Sequence, residues 1–380
     1  MLIKRVTAVI LAGVLMFCIG GCAAKNETTV YSEEHTETAA VKAAEDVSVE
    51  GISDNAAAAV VYCADSGEVL YGHNVNDKRA IASITKIMTA VVALEYASSL
   101  DKEVKITPEM YAEGSSMYLK EGEIIKLSEL VKGMMAVSGN DAANAVALTV
   151  GGSDEKFADM MNQKAKQIGM KNTHFVTPSG LDSEKHYSSA YDMALLCAYA
   201  MENDSFRDIV SQKHVEVSYV DPESKTQTLT NHNKLLSLCE GCIGIKTGFT
   251  KKAGRTLCSC AERDGVRLIV VTLNDGDDWN DHCNLYDKCF SLVQCVKLAD
   301  KNKIIELPLV GGDSDSVSLV PEREVCAVLK NEEADKVSEK IYAPRFVYAS
   351  AEKGEFIGRI EYYIGDRMIT NVRLKITDES

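Results

Sequence analysis

The chain has 380 residues, 46% hydrophobic and 26% charged, proportions of a water-soluble globular protein that exclude both a disordered acidic polymer and a multi-span membrane protein. Its 56 acidic against 41 basic side chains leave a formal net charge of -15, a surface that repels phosphate backbones and puts nucleic acid outside the expected partners. Twelve cysteines fall well short of a disulfide scaffold, and at about 100 to 200 residues per domain the length allows two or three domains.

Lys4 and Arg5 precede an apolar run, residues 6–19, that stops at Gly20, Gly21, Cys22, Ala23 and Ala24. The run is too short to span about 30 Å of hydrocarbon as a stable helix, and its charged start and small-residue end are those of an export signal. Ile19-Gly20-Gly21-Cys22 resembles the lipobox of bacterial lipoproteins, which implies a signal peptide over residues 1–22 and diacylation of Cys22; cleavage after Ala24 is the alternative. Residues 23–50 carry Glu27, Glu33, Glu34, Glu37, Glu45, Asp46 and Glu50 with almost nothing large and apolar. A disordered acidic tether is expected there.

Two apolar runs, residues 57–63 and 69–71, flank Ser66-Gly67 and predict a β-hairpin. Residues 81–94 are apolar nearly all round, which predicts a helix buried at the centre of a large domain. A helical middle follows over 127–150, 157–168 and 191–201, and strand signals return at 215–219, 244–247, 256–260 and 268–272. Strands at both ends of a helical block imply an α+β domain with one antiparallel sheet over residues 51–300, closed by a last helix over 290–298. Beyond it, 317–320, 346–348, 356–362 and 372–376 alternate with period two and predict a small all-β, sandwich-like domain over 301–380.

Ser83-Ile84-Thr85-Lys86 places a hydroxyl and an ammonium one helical turn apart on one face. A lysine among Ile81, Ile84, Ile87, Met88 and Val91 loses so much hydration that the site must use or pair it. Desolvation lowers its pKa and makes it a proton acceptor for the neighbouring serine. The same spacing recurs at Ser99, Ser153 and Ser350, but without that apolar context. Ser138-Gly139-Asn140 follows a helical signal, and Lys246-Thr247-Gly248, which occurs once, falls on a predicted strand. Each motif is weak alone; together, in this order and on these elements, they are hard to reach by chance.

With these motifs and the stretches 82–90, 135–142, 172–182, 186–192 and 244–250, residues 52–300 resemble the penicillin-recognising serine enzymes. Among these they are most similar to the serine D-alanyl-D-alanine carboxypeptidases of the low-mass penicillin-binding proteins, and the β domain that follows is similar to that family's C-terminal domain. The resemblance implies a penicillin-binding-protein/β-lactamase-like transpeptidase domain, an antiparallel sheet with a helical cluster. It implies that Ser83 attacks the carbonyl between the two terminal D-alanines of a peptidoglycan stem peptide, with Lys86 the favoured base. Ser138 would relay the proton and Asn140 orient substrate or Lys86. Lys246 would supply positive potential, Thr247 and Arg267 clamp the terminal carboxylate, and Gly248 leave room for substrate backbone. The N–H groups of Ser83 and Phe249 would form an oxyanion hole. β-Lactams would acylate the same serine, and no cofactor is implied. The protein is then expected outside the cytoplasm, held at the outer face of the bacterial cytoplasmic membrane by a lipid on Cys22, or secreted without one.

Two alternatives stand beside this reading. An idle muropeptide-binding protein is opposed by the intact set Ser83, Lys86, Ser138, Asn140 and Lys246. A β-lactamase is opposed by the lack of any Glu between Glu155 and Glu184, where class A enzymes carry the glutamate that activates deacylating water. Cys239-x-x-Cys242 with Cys258-x-Cys260 lacks zinc-ribbon spacing in its second pair, and Cys258 and Cys260 read as two small residues on one strand face, so no metal is expected. His174 and His186 have no acidic partner at an informative spacing; His174 is expected to be structural, and His186 to line the surface near the cleft.

Overall fold

The computed structural model describes residues 44–97 and 102–377. The export signal, Cys22 and the tether through residue 43 lie outside the described residues. The last part of the expected tether is folded, however. Val47 exchanges two backbone hydrogen bonds of 2.9 Å with Gly72, Val75 N–H donates to Asp46 Oδ1 at 3.1 Å, and Asn76 Nδ2 donates to the Ala44 carbonyl at 2.6 Å. Acidic composition suggested disorder, but here one acidic side chain serves as a backbone acceptor, so order begins before Gly51.

The hairpin forms as β1 (Ala58–Cys63) and β2 (Glu68–His73). A 3₁₀ turn over Ala82–Thr85 leads into α1 (Lys86–Ala97). Two three-residue strands, β3 (Glu103–Lys105) and β4 (Ile124–Lys126), precede the helices α2 (Leu127–Val137), α3 (Asn140–Gly151), α4 (Asp154–Ile168), α5 (Ala190–Met201) and α6 (Asp204–Val210). Next come β5 (His214–Asp221), β6 (Thr226–Thr230), the single turn α7 (Leu235–Leu238), β7 (Cys242–Thr250), β8 (Gly254–Arg263), β9 (Val266–Leu273) and α8 (Asp278–Phe290).

An antiparallel sheet in the order β2-β1-β9-β8-β7 divides this domain. The period of two in β1 explains why both of its faces are apolar: Ala58, Val60 and Tyr62 enter the core shared with the helical cluster, while Ala59, Val61 and Cys63 enter the core shared with α8. Cys258 and Cys260 both point to the helical side and are fully buried. A second sheet, β3-β4-β5-β6, departs from the expected single sheet. β5 belongs to it, and its buried positions alternate strictly along 214–219.

The expected helical stretch 127–150 is two helices, broken where Ser138 takes a left-handed conformation (φ 61°) and Gly139 precedes the first residue of α3. The expected helix over 290–298 is also corrected. α8 ends at Phe290, and Val293–Ala299 is a strand, β10, paired with β13 (Val325–Lys330). The C-terminal module therefore starts near residue 293. It adds β11 (Ile305–Val310), β12 (Ser316–Pro321), β14 (Val337–Tyr342), β15 (Val347–Tyr348), β16 (Phe356–Ile364) and β17 (Arg367–Ile376) in a six-stranded sheet ordered β14-β16-β17-β12-β11-β15. Leu319, Ile360, Val372 and Leu374 form its own core.

Candidate active site

Ser83 sits in the 3₁₀ turn with its hydroxyl half-buried, and Lys86, the first residue of α1, is fully buried. The turn is sharp because Ala82 holds a left-handed φ of 49°. Lys86 Nζ lies 2.9 Å from Ser83 Oγ, 2.6 Å from Asn140 Oδ1 and 2.7 Å from the Ser179 carbonyl. Asn140 is oriented from both sides: its backbone N–H donates to Ser115 O at 2.7 Å, and its Nδ2 donates to Glu113 O at 2.6 Å. With the amide nitrogen committed to a carbonyl, Oδ1 is the atom that must face Lys86.

Burial pushes the Lys86 ammonium well below the ordinary lysine range, and the nearby Lys246 adds to the fall, against an upward pull from Asp141. A neutral amine keeps two N–H donors and one lone pair. Asn140 Oδ1 and Ser179 O can only accept, so they take the two protons, and the lone pair is left for the one partner that carries a proton, the Ser83 hydroxyl. The geometry thus fits a serine activated by a neutral lysine.

Behind the turn, the loop through residues 176–182 fixes its shape. Gly180 (φ 84°) is a glycine because a Cβ there would lie 1.9 Å from the Ala82 carbonyl oxygen. His186 is buried under the turn and not at the surface. Its Nδ1 accepts from Val176 N–H at 3.0 Å, so Nε2 carries the proton and donates to Thr85 Oγ1 at 2.8 Å, which in turn donates to Ala82 O. Burial lowers its pKa to about 4. With both nitrogens engaged away from Ser83, His186 positions the turn and does not act as base.

The opposite wall is β7, the edge strand of the five-stranded sheet. Lys246 is buried, donates to Thr247 O at 3.0 Å, and has its pKa lowered to about 7 by desolvation. Thr247 is half-buried, and the Phe249 ring is exposed. A Cβ on Gly248 would come within 2.5 Å of Thr256 Oγ1 and 2.8 Å of the Ser83 amide nitrogen, so its smallness lets β7 close on the nucleophile turn. Thr250 Oγ1 donates to Asp182 Oδ1 at 2.9 Å and ties the strand's end to the 176–182 loop. Ser138, at the break between α2 and α3, is buried two residues ahead of Asn140.

The chain matches the family model for D-alanyl-D-alanine carboxypeptidase over residues 42–277 and that for the penicillin-binding protein 5 C-terminal domain over residues 294–379. It is 31% identical over 322 residues, 81% of this chain and 82% of the relative, to D-alanyl-D-alanine carboxypeptidase DacF of Bacillus subtilis. The chain belongs to the D-alanyl-D-alanine carboxypeptidase family. It is also 35% identical over 237 residues to DacB2 of Mycobacterium tuberculosis, covering 60% of this chain and 80% of that one. The crystal structure of penicillin binding protein 5 from Haemophilus influenzae superposes with a TM-score of 0.64 at 26% identity, covering 87% of this chain and 99% of that one.

Within this carboxypeptidase fold, Arg267 does not reach the cleft, and its expected role as a carboxylate clamp is corrected. It pairs with Glu262 near the far end of β8 and β9, whereas Lys246 is level with Cys258 and Val271. Four residues along a strand and two strands across separate them by roughly 15 Å. Arg267 is engaged there by Glu202 at 2.7 Å and Asp65 at its backbone. Two further positioning residues come from stretches whose individual roles the sequence left unassigned: Ser179, through its carbonyl on Lys86, and Asp141, whose buried carboxylate accepts from Met117 N, Leu119 N and Ser116 Oγ at 2.9, 3.2 and 2.7 Å. Asp141 directly follows the Ser138-x-Asn140 motif, the one sequence signal that could have singled it out.

Lys246→Met is expected to stabilise the fold while slowing D-alanine release. The folded pKa is depressed from 10.5 to about 7, so the unfolded chain binds more protons across that interval and native stability rises with pH there. The gain from methionine is therefore full near pH 7 and below and fades by about pH 10.5. A melting-temperature increase on the order of 5 °C at pH 7, shrinking at pH 10, is the expected result of scanning calorimetry.

Proposed function

We propose that the chain is a serine D-alanyl-D-alanine carboxypeptidase that removes the terminal D-alanine from peptidoglycan stem peptides through an acyl-enzyme on Ser83. The Ser83 hydroxyl gives its proton to the neutral Lys86 amine as Oγ bonds to the carbonyl carbon. Backbone N–H groups of Ser83 and Phe249 stabilise the oxyanion. The proton passes by way of Ser138 to the departing D-alanine nitrogen as the peptide bond breaks. Water then attacks the ester, returns the proton to Ser83 Oγ and frees the shortened peptide. Lys246 and Thr247 attract the substrate's terminal carboxylate; Asn140 holds Lys86. The observation that carries this reading is the buried Lys86 with three oxygen neighbours, of which Ser83 alone has a proton to give.

The enzyme acts outside the cytoplasm, where its substrate is. The lipobox-like Cys22 supports a lipid anchor with the acidic stretch after it as a spacer, and among the described residues no helix is long and apolar enough to cross a membrane. Benzylpenicillin presents a strained amide to the same serine. The hydrogen bonds of Ser83, Lys86 and Asn140 include no carboxylate partner among the described residues, which favours slow release of the acyl group.

The test is an intact-mass time course of the protein with benzylpenicillin, followed by peptide mapping. A lasting adduct of one penicillin on the peptide bearing Ser83, with D-alanine release from a stem pentapeptide, is the expected result. Penicillin consumed without a lasting adduct would indicate a β-lactamase; neither adduct, consumption nor D-alanine release would indicate an idle binding protein.

A further inference from the structure

Among the described residues six non-glycine positions have a positive φ: Asn74, Ala82, Tyr118, Ser138, Asp264 and Asn274. Asn and Asp enter that region readily, because a short polar side chain can hydrogen-bond locally. The other three are strained, and each lies on a segment that carries an active-site residue or is hydrogen-bonded to one. Ala82 precedes Ser83, and Ser138 opens the second motif. Tyr118 (φ 59°) belongs to no motif.

Its surroundings hold it there deliberately. Met117 N–H and Leu119 N–H both donate to the Asp141 carboxylate, Tyr118 N–H donates to Ser116 Oγ at 2.8 Å, and Ser116 Oγ donates to Asp141 in turn. Met117 and Leu119 are buried, and a Cβ on Gly139 would lie 3.0 Å from Met117 Cγ, so this loop is packed against the residue between Ser138 and Asn140. Tyr118 itself is 79% exposed, the most exposed of the large hydrophobic side chains among the described residues. Among the described residues no hydrogen bond, ring or cation meets its side chain. Glycine or asparagine would make the same turn without strain. An aromatic ring kept in an unfavourable backbone conformation, in water, on a loop that bonds to Asn140 and Asp141 gains nothing in the free protein. Strain of this kind, observed first, points to function.

We propose that Tyr118 is a specificity residue that packs on the part of the stem peptide upstream of the scissile bond, against the aliphatic chain of its diamino acid. This rests on the carboxypeptidase reading above. The leaving D-alanine carries only a methyl group and sits at the Lys246 side, so a ring outside the pocket has apolar surface to meet only on the upstream residues. Aromatic surface of this kind gains by covering methylene groups.

The test compares kcat/KM of the full chain for a stem pentapeptide and for N-acetyl-D-alanyl-D-alanine, which lacks the upstream residues. Tyr118→Ala and Tyr118→Asn are expected to lower the ratio of pentapeptide to short-substrate kcat/KM about tenfold, equivalent to about 1.4 kcal/mol, and Tyr118→Phe to retain it. Tyr118→Asn, which relieves the backbone strain, keeps or raises the melting temperature, separating loss of contact from loss of fold. An unchanged ratio in an active enzyme, whether both substrates suffer equally or neither does, overturns the assignment alone. A wild-type protein that releases D-alanine from neither substrate overturns the carboxypeptidase reading and this assignment with it.

Discussion

Ser83→Ala is expected to lower kcat for D-alanine release by about 10⁶ while leaving a folded protein. The turn that carries Ser83 is closed by backbone bonds from the Lys86 N–H to Ser83 O and Ile84 O, with no side-chain cap, so alanine keeps its shape. Lys86 retains two acceptors, Asn140 Oδ1 and Ser179 O, so no buried group is orphaned. The melting temperature should therefore move little, by about 2 °C at most. What disappears is the only atom able to form the ester. Single-turnover release of D-alanine measures the loss, and intact mass after benzylpenicillin should show unmodified protein. Activity retained to within about a hundredfold would mean that another hydroxyl attacks, with Ser138 the first to test.

Much of this arrangement is written in the sequence because it depends on local pattern. The hairpin shows in two apolar runs about a Ser-Gly turn, and the Ser83-to-Lys86 spacing is a property of one helical turn. What escaped reading depends on register or on neighbours distant in the chain. Strands β3 and β4 are three residues each, too short to show a period, so the second sheet left no signature. The apolar residues around 290–298 fit a helix as well as a strand; pairing with β13 decides for the strand. Arg267 stands near the substrate strand in sequence order, yet the β8–β9 register carries it to the far end of the sheet. Gly248 illustrates a subtler limit: the need for a small residue is visible, but the atoms it avoids, Ser83 N and Thr256 Oγ1, are brought there by the fold. The strain at Tyr118 is likewise invisible in a sequence where tyrosine in a loop is unremarkable.

Lys86 offers the sharpest division between an electrostatic and a proton-accepting role. If its function were to place positive charge beside Ser83, arginine would serve. If it accepts a proton, arginine, charged at every working pH, cannot. Lys86→Arg and Lys86→Met are both expected to lower kcat/KM for D-alanine release, and the rate of acylation by benzylpenicillin, by about 10³ to 10⁴. Retention of activity in the arginine variant alone would refute the base. The pH profile supplies a second reading of the same group. Burial first, and Lys246 second, depress the Lys86 pKa below its ordinary 10.5, and the reactive form is the neutral amine. Acylation should therefore fall as pH drops through that depressed pKa, giving an acid limb. Removing the Lys246 charge takes away one of the two depressing influences, so Lys246→Met should move the acid limb of benzylpenicillin acylation to higher pH. A limb that stays put, or moves down, would mean that the titrating group is not Lys86. An upward shift together with the inactivity of Lys86→Arg would tie the limb, the base and the buried amine to one nitrogen atom.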